Sequence, residues 1–142
     1  MEIRKNIDEN WIKYNPLNNK EEETYYVTSI VQDLDGTKII LDNEKDVFEV
    51  FFDGFIPIVR ITDEGIRMRT WGEVQKKYEN KKFFNGWFLY KVEDSELVKW
   101  ALEESCGCYE EEQLIHYCIV TGEDLIDILS SFEPKISVSK CN

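Results

Sequence analysis

No apolar run in this chain approaches the roughly 18 residues that a membrane-crossing helix requires. The opening stretch MEIRKNIDENW contains no apolar segment to serve as a signal peptide, so a cytoplasmic location is the expectation. Glycine patterns that cradle nucleotide phosphates are missing: neither GxxxxGK[ST] nor GxGxxG occurs. No serine sits in a nucleophile-elbow setting. Histidine is reduced to His116, which leaves little material for imidazole catalysis or metal binding. Alanine is reduced to one residue against fifteen isoleucines and thirteen lysines. That bias speaks of an AT-rich coding source rather than of function.

What is present bounds the fold class. A chain of 142 residues is the length of one domain with a real core. Apolar residues at 42% and aromatics at 13% are too many for a disordered chain. The formal net charge is −12, from 29 acidic and 17 basic residues. That balance argues against a general nucleic-acid binder, whose affinity comes largely from neutralising phosphates, and suits solubility or the steering of a basic partner. The charge is uneven: between Arg60 and Lys82 seven basic residues face four acidic ones, so the rest of the chain carries −15.

Residues 1–23 are polar, with an apolar spacing at Ile7, Trp11 and Ile12, and read as a short helix broken by Pro16 or as a loosely attached arm. A single domain is expected over residues 24–142. From Thr24 the period is two: TYYVTSIVQ, TKIIL, DVFEVFF, FIPIVRI and IRMR are short, β-branched or aromatic, and separated by DLDG, DNEK, DG and DEG. Connections this short join antiparallel neighbours. Helical spacing follows, with Thr70 and Glu73 in a capping-box arrangement and Trp71, Val74 and Tyr78 on one face. Trp87 to Val92 reads as a strand. Asp94 or Ser95 caps a second helix with Leu97, Val98, Ala101 and Leu102 inward, and Gly107 is placed to end it. QLIHYCIV is a further strand. Thr121 and Asp124 then cap a third helix whose apolar face is Leu125, Ile128, Leu129 and Phe132, stopped by Pro134, with KISV as an edge strand. The expected class is α+β: an antiparallel β meander followed by helices alternating with strands, helices packed on one sheet face.

Chemistry concentrates in ESCGCYEEEQLIHYC, which holds three of the four cysteines and His116. Cys106, Cys108, His116 and Cys118 are zinc-type ligands, but Cys-Gly-Cys is tighter than the usual knuckle, and His116 and Cys118 share one face of a strand with Leu114 and Val120. A reactive thiolate needs a helix N-terminus or nearby cations, whereas Cys106 and Cys108 follow a helix C-terminus among glutamates. No metal and no cofactor are expected. His116 as a general base needs an orienting carboxylate and a pocket. Asp63 and Glu64, near Arg60, read as a hairpin turn, and the aromatics of EVFFDGF and NGWFLY read as core rather than as a ligand platform.

WFLYKVEDSELVKWALEES through LIHYCIVTGEDLIDILSSFEP resembles small uncharacterised proteins of low-GC Gram-positive bacteria, some of which look like immunity partners of toxins. The similarity covers roughly residues 46–134 and lies in aromatic and aliphatic positions plus DS, LIHY and DLIDIL. It implies a fold and an inhibitor-like role but transfers no catalytic residue. The expected function is an acidic cytoplasmic protein-binding module, an immunity-type inhibitor of a basic toxin or enzyme, with Glu110, Glu111 and Glu112 as the acidic patch. The rival expectations are a small enzyme using His116 with a neighbouring carboxylate, and an accessory domain without catalysis. A basic protein is the expected partner, with no nucleic acid and no membrane.

Overall fold

The computed structural model describes residues 7–19 and 24–141. Asn10–Lys13 forms β1, followed by Tyr26–Asp33 (β2), Gly36–Asp42 (β3), Asp46–Asp53 (β4) and Ile58–Asp63 (β5). A 3-10 turn over Glu64–Arg67 leads directly into helix α1, Met68–Lys77. Leu89–Glu93 (β6), helix α2 (Glu96–Glu104), Ile115–Val120 (β7), Asp124–Ser130 (β8) and Lys135–Lys140 (β9) complete the described elements. They build two antiparallel sheets, one of order β1-β6-β7-β8-β5 and one of order β2-β3-β4-β9.

Local chemistry explains the meander of β2, β3 and β4. Gly36 adopts φ +146°, and a Cβ there would meet the Phe52 carbonyl oxygen at 2.2 Å, so only glycine fits where β3 turns in beside β4. Asn43 closes the next turn, its side-chain oxygen accepting from the Lys45 and Asp46 backbone N–H groups at 3.0 and 2.7 Å. Strict alternation then sends Ile39, Leu41, Phe48, Val50 and Phe52 inward, all 2% exposed or less.

That inner face packs on the five-stranded sheet. Leu89, Tyr117, Ile119, Ile126 and Ile128 meet it in one buried cluster, which also takes in Trp87 and Phe88. The opposite face of the five-stranded sheet carries the helices. Val74 of α1 joins Tyr90, Val92, Cys118, Val120 and Leu125, while Leu97, Val98 and Ala101 of α2 pack against Leu129. The fold is α+β in three layers, helices on one sheet face and the second sheet on the other. Its middle sheet is covered on both faces, whereas the outer sheet alternates because one side meets water.

Three local expectations are corrected. Asn10–Lys13, expected as a short helix or loose arm, is a strand paired with β6, Trp11 lying opposite Val92 and 2% exposed; residues 1–6 and 20–23 lie outside the described residues. IRMR is not a strand: its residues belong to the 3-10 turn and the first turn of α1, so Thr70 is a buried interior residue of that helix and not its cap. Gly107 does take the left-handed conformation expected of it, with φ +87°, and Cys106 before it takes one too, with φ 52°.

The third correction is the largest. Asp124–Ser130, expected as a third helix, is the interior strand β8, hydrogen-bonded between β7 and β5. DLIDILS satisfies helical spacing, yet it is also the near-continuous apolar run of a strand buried on both faces. The capping signal at Thr121 is real but serves a hairpin. Its hydroxyl accepts from the Glu123 and Asp124 backbone N–H groups at 3.2 and 3.0 Å, and its own N–H donates to the Asp124 carbonyl.

Candidate functional site

The register of the middle sheet brings its polar residues together beneath the helices. Asp127 of β8 lies opposite Cys118 of β7 and Arg60 of β5, while His116 lies opposite Leu129 and Val92. All these side chains face the helical layer. At the end of β6, Asp94 takes a positive φ of 52° and delivers Ser95 as the N-cap of α2. The Ser95 hydroxyl oxygen accepts from the Val98 N–H at 3.1 Å, satisfying one of the helix's unpaired donors.

A continuous polar chain results. Ser95 Oγ is 2.7 Å from His116 Nδ1, and His116 Nε2 is 2.7 Å from Asp127 Oδ1. Since Ser95 Oγ already accepts from Val98, its proton suits Nδ1, and the ring then donates from Nε2 to the carboxylate. The second oxygen, Asp127 Oδ2, accepts from Arg60 Nε at 2.9 Å and from Arg67 Nη1 at 2.5 Å, and Arg60 Nη2 lies 2.9 Å from it in the same ion pair. Arg67 Nη1 also reaches Thr62 Oγ1 at 3.3 Å. Asp127 is wholly buried. Burial opposes its charge, but the hydrogen bond and field of His116 and the charges of Arg67 and Arg60 outweigh that and hold the carboxyl below the usual carboxylate range.

Serine, histidine and aspartate in hydrogen-bonded sequence invite comparison with a hydrolytic triad. Reach decides against it. His116 is 2% exposed and Ser95 4% exposed, both ring nitrogens are engaged, and the serine oxygen is committed to the helix cap. None of the three lines the adjoining cavity. The condition of an orienting carboxylate for His116 is met by Asp127; the condition of a pocket is not. Asp127 is hidden in the sequence because the residues around it satisfy helical spacing as well as strand burial. Its trace was visible as the one carboxylate inside an otherwise apolar run, which a buried position tolerates only with partners.

Arg60 and Arg67 carry this network outward. They form the floor of a groove of about 690 Å³, bounded by α2 on one side and by the 3-10 turn and α1 on the other. Trp100 of α2 and Ile66 of the turn are its apolar walls, 55% and 75% exposed. Arg69 and Glu96 form an ion pair at its rim, 3.3 Å apart. Glu9, also at the groove, is 5% exposed and has both oxygens engaged, one by the Trp11 indole N–H at 3.2 Å and one by the Glu96 backbone N–H at 2.9 Å.

The residues singled out from sequence are scattered. Glu110, Glu111 and Glu112 stand exposed between α2 and β7, near the exposed Glu103 and Glu104 that end α2, and lie outside the arginine groove's lining. The Glu110 N–H donates to Gln113 Oε1 at 2.9 Å, fixing the short 3-10 turn. Cys106 and Cys108 are exposed while Cys118 is buried, so the four zinc-type side chains are divided between the surface and the interior. Among the described residues no three His, Cys, Asp or Glu side chains gather as a metal site would need. Burial pushes the Cys118 thiol well above its ordinary value, and the charge of Asp127 adds to this. Asp63 serves its turn, accepting from the Gly65 N–H at 3.0 Å. Phe48, Phe52, Trp87 and Phe88 are core. Comparison with protein families, with curated proteins and with solved structures finds no match to this chain. Among the described residues no helix is long and apolar enough to cross a membrane.

Proposed function

We propose that this chain acts in the cytoplasm by binding another protein through its acidic surface, as an immunity-type inhibitor of a basic toxin or enzyme does. The carrying observation is the exposure of Glu103, Glu104, Glu110, Glu111 and Glu112 around one end of α2, in a chain of net charge −12. Complementary potential raises the association rate of such pairs and sets their register. The burial of Ser95, His116 and Asp127 supports the reading from the other side, because it withdraws the chain's best catalytic constellation from any substrate. An accessory domain without chemistry of its own shares that feature but gives the acidic patch no role.

Affinity capture from the native host, followed by binding kinetics, tests the proposal. A captured partner should have a basic surface and an on-rate that falls steeply as salt rises, because screening shortens the range of the field. Replacing Glu110, Glu111 and Glu112 together by Gln should leave Tm nearly unchanged, since exposed charges contribute little to folding. Association should slow while dissociation changes less. Capture of no partner, combined with an enzymatic turnover that His116→Ala abolishes, would overturn the proposal.

A further inference from the structure

Trp100 separates two depressions in the surface around α2. The arginine groove lies on one side. On the other, a cleft of about 180 Å³ opens between the second half of α2 and the segment that enters β5, lined by Pro57, Ile58, Tyr109 and Leu114 among others. That volume falls below the roughly 300–1,000 Å³ of small-molecule sites and suits a single side chain of a protein partner. Trp100 is more than half exposed beside it. An exposed indole next to an apolar cleft offers a partner a large, rigid contact with a polar edge.

Charge states what that partner carries. Among the described residues lining the cleft, Glu104 is the one charged side chain, and its carboxylate forms no ion pair or hydrogen bond with the described residues. The last turn of α2 holds no base, so the negative end of its dipole, at Glu104 and Ser105 beside the cleft, meets no cation of its own. No lysine or arginine occurs from Asp53 to Val59 or from Trp100 to Pro134, and these two stretches supply the whole lining. Glu110, Glu111 and Glu112 stand exposed in the loop between the lining residues Tyr109 and Leu114. Lys99, the only base of α2, lines neither depression. Arg60 and Arg67 belong to the groove across Trp100, where Asp127 and Glu9 offset their charge. An apolar cleft with these surroundings fits an apolar side chain that has a lysine or arginine beside it in the partner's chain. The flanking cation then reaches Glu104 and the face of Trp100 while its aliphatic stem covers the cleft's rim.

We propose that this cleft and Trp100 are the anchor point for a basic protein partner, seating one apolar side chain flanked by lysine or arginine. The inference rests on the protein-binding reading and moves the centre of the interface from the glutamates alone to Trp100.

Titration with a capped pentapeptide that carries phenylalanine between two pairs of arginines, followed by NMR of the tryptophan indole signals, tests the anchor. The Trp100 signal, assigned by its loss in Trp100→Ala, should move saturably, while the buried Trp11 and Trp87 signals stay in place and report an intact fold. The same peptide with glycine for phenylalanine should bind at least about tenfold more weakly to the wild-type chain, and a peptide with glutamates for the arginines should not bind. Trp100→Ala, at a half-exposed position, should fold and bind the phenylalanine peptide about tenfold more weakly, and Glu104→Gln about threefold more weakly. Equal binding of the glycine peptide, or undiminished binding by folded Trp100→Ala, would overturn the anchor. If that binding still fell steeply with salt, the acidic protein-binding surface would stand without it. Equal binding of the glutamate peptide would overturn the basic character of the partner. A Trp100 signal unmoved at millimolar phenylalanine peptide would overturn the anchor too, and the protein-binding reading would then rest on the captured partner alone.

Discussion

Asp127 shows how one side chain can set the chemistry of a whole face. It accepts from three cationic or ring donors and is wholly buried, so removing its charge leaves Arg67, only 12% exposed in its side chain, without a counter-ion. Asp127→Asn should therefore destabilise the fold by about 3–5 kcal/mol, the usual result of breaking one half of a buried pair, measurable by urea unfolding at neutral pH. The pH dependence has a definite sign. Folding lowers this carboxyl's affinity for protons, so its stabilising contribution is complete above the ordinary carboxylate range. It drains away as the pH falls below the unfolded value toward the depressed folded one. The Tm difference between the wild-type chain and Asp127→Asn should accordingly narrow in acid. A difference that stayed constant from neutral pH down to pH values near 2, a range set by ordinary carboxylate titration, would mean that Asp127 acts by shape and not by charge.

Strand β8 carries the element-scale argument. Its residues alternate between the two buried faces of the middle sheet, Ile126 and Ile128 toward the second sheet and Leu125, Asp127 and Leu129 toward the helices. Leu129 is fully buried and is the strand's contact with α2. Leu129→Ala should cost about 2–5 kcal/mol, the range for opening a leucine-sized cavity that its surroundings only partly refill. Circular dichroism of the folded variant should keep its strand signal while the unfolding midpoint falls. A loss below about 0.5 kcal/mol, the scale of surface substitutions, would place α2 off the sheet. The same strand marks how local reading fails. Leu125, Ile128 and Leu129 sit at helical spacing, and Thr121 and Asp124 resemble a cap, yet a two-faced buried strand produces the same spacing because every residue from Leu125 to Leu129 is apolar except Asp127, which must be paired.

Across the whole molecule, the layering fixes which thiols meet reagent. Cys106 and Cys108 are exposed in the turn beyond α2, and Cys118 is sealed between the sheet and the helices. Under native conditions a maleimide should label Cys106 and Cys108 first. Cys118 should react only at the rate of opening, since both burial and its raised thiol pKa deny it the thiolate form. Mass spectrometry of timed aliquots reads this directly, and early loss of Cys118 would mean that the helical layer does not cover the middle sheet. Charge is also partitioned at this scale. The acids around α2 face solvent, while the basic excess between Arg60 and Lys82 supplies the arginines that line the groove.

Local chemistry was enough to determine the α+β class, the β2–β3–β4 meander, a helix cap at Asp94 or Ser95 and the two faces of β7. Each follows from alternation, turn residues or hydrogen bonds within a few positions, and those forces act along the chain itself. The division of the strands into two sheets, the strand nature of β8, the edge position of β1 and the meeting of Ser95, His116, Asp127, Arg60 and Arg67 were decided only in three dimensions. They depend on pairing between segments far apart in the chain, 94 residues for Asp46 with Lys140 in β4 on β9 and 81 for Trp11 with Val92 in β1 on β6. A buried carboxylate is stable only where such pairing brings cations to it, so its meaning is absent from its own neighbourhood in the sequence and exists only once the middle sheet has closed.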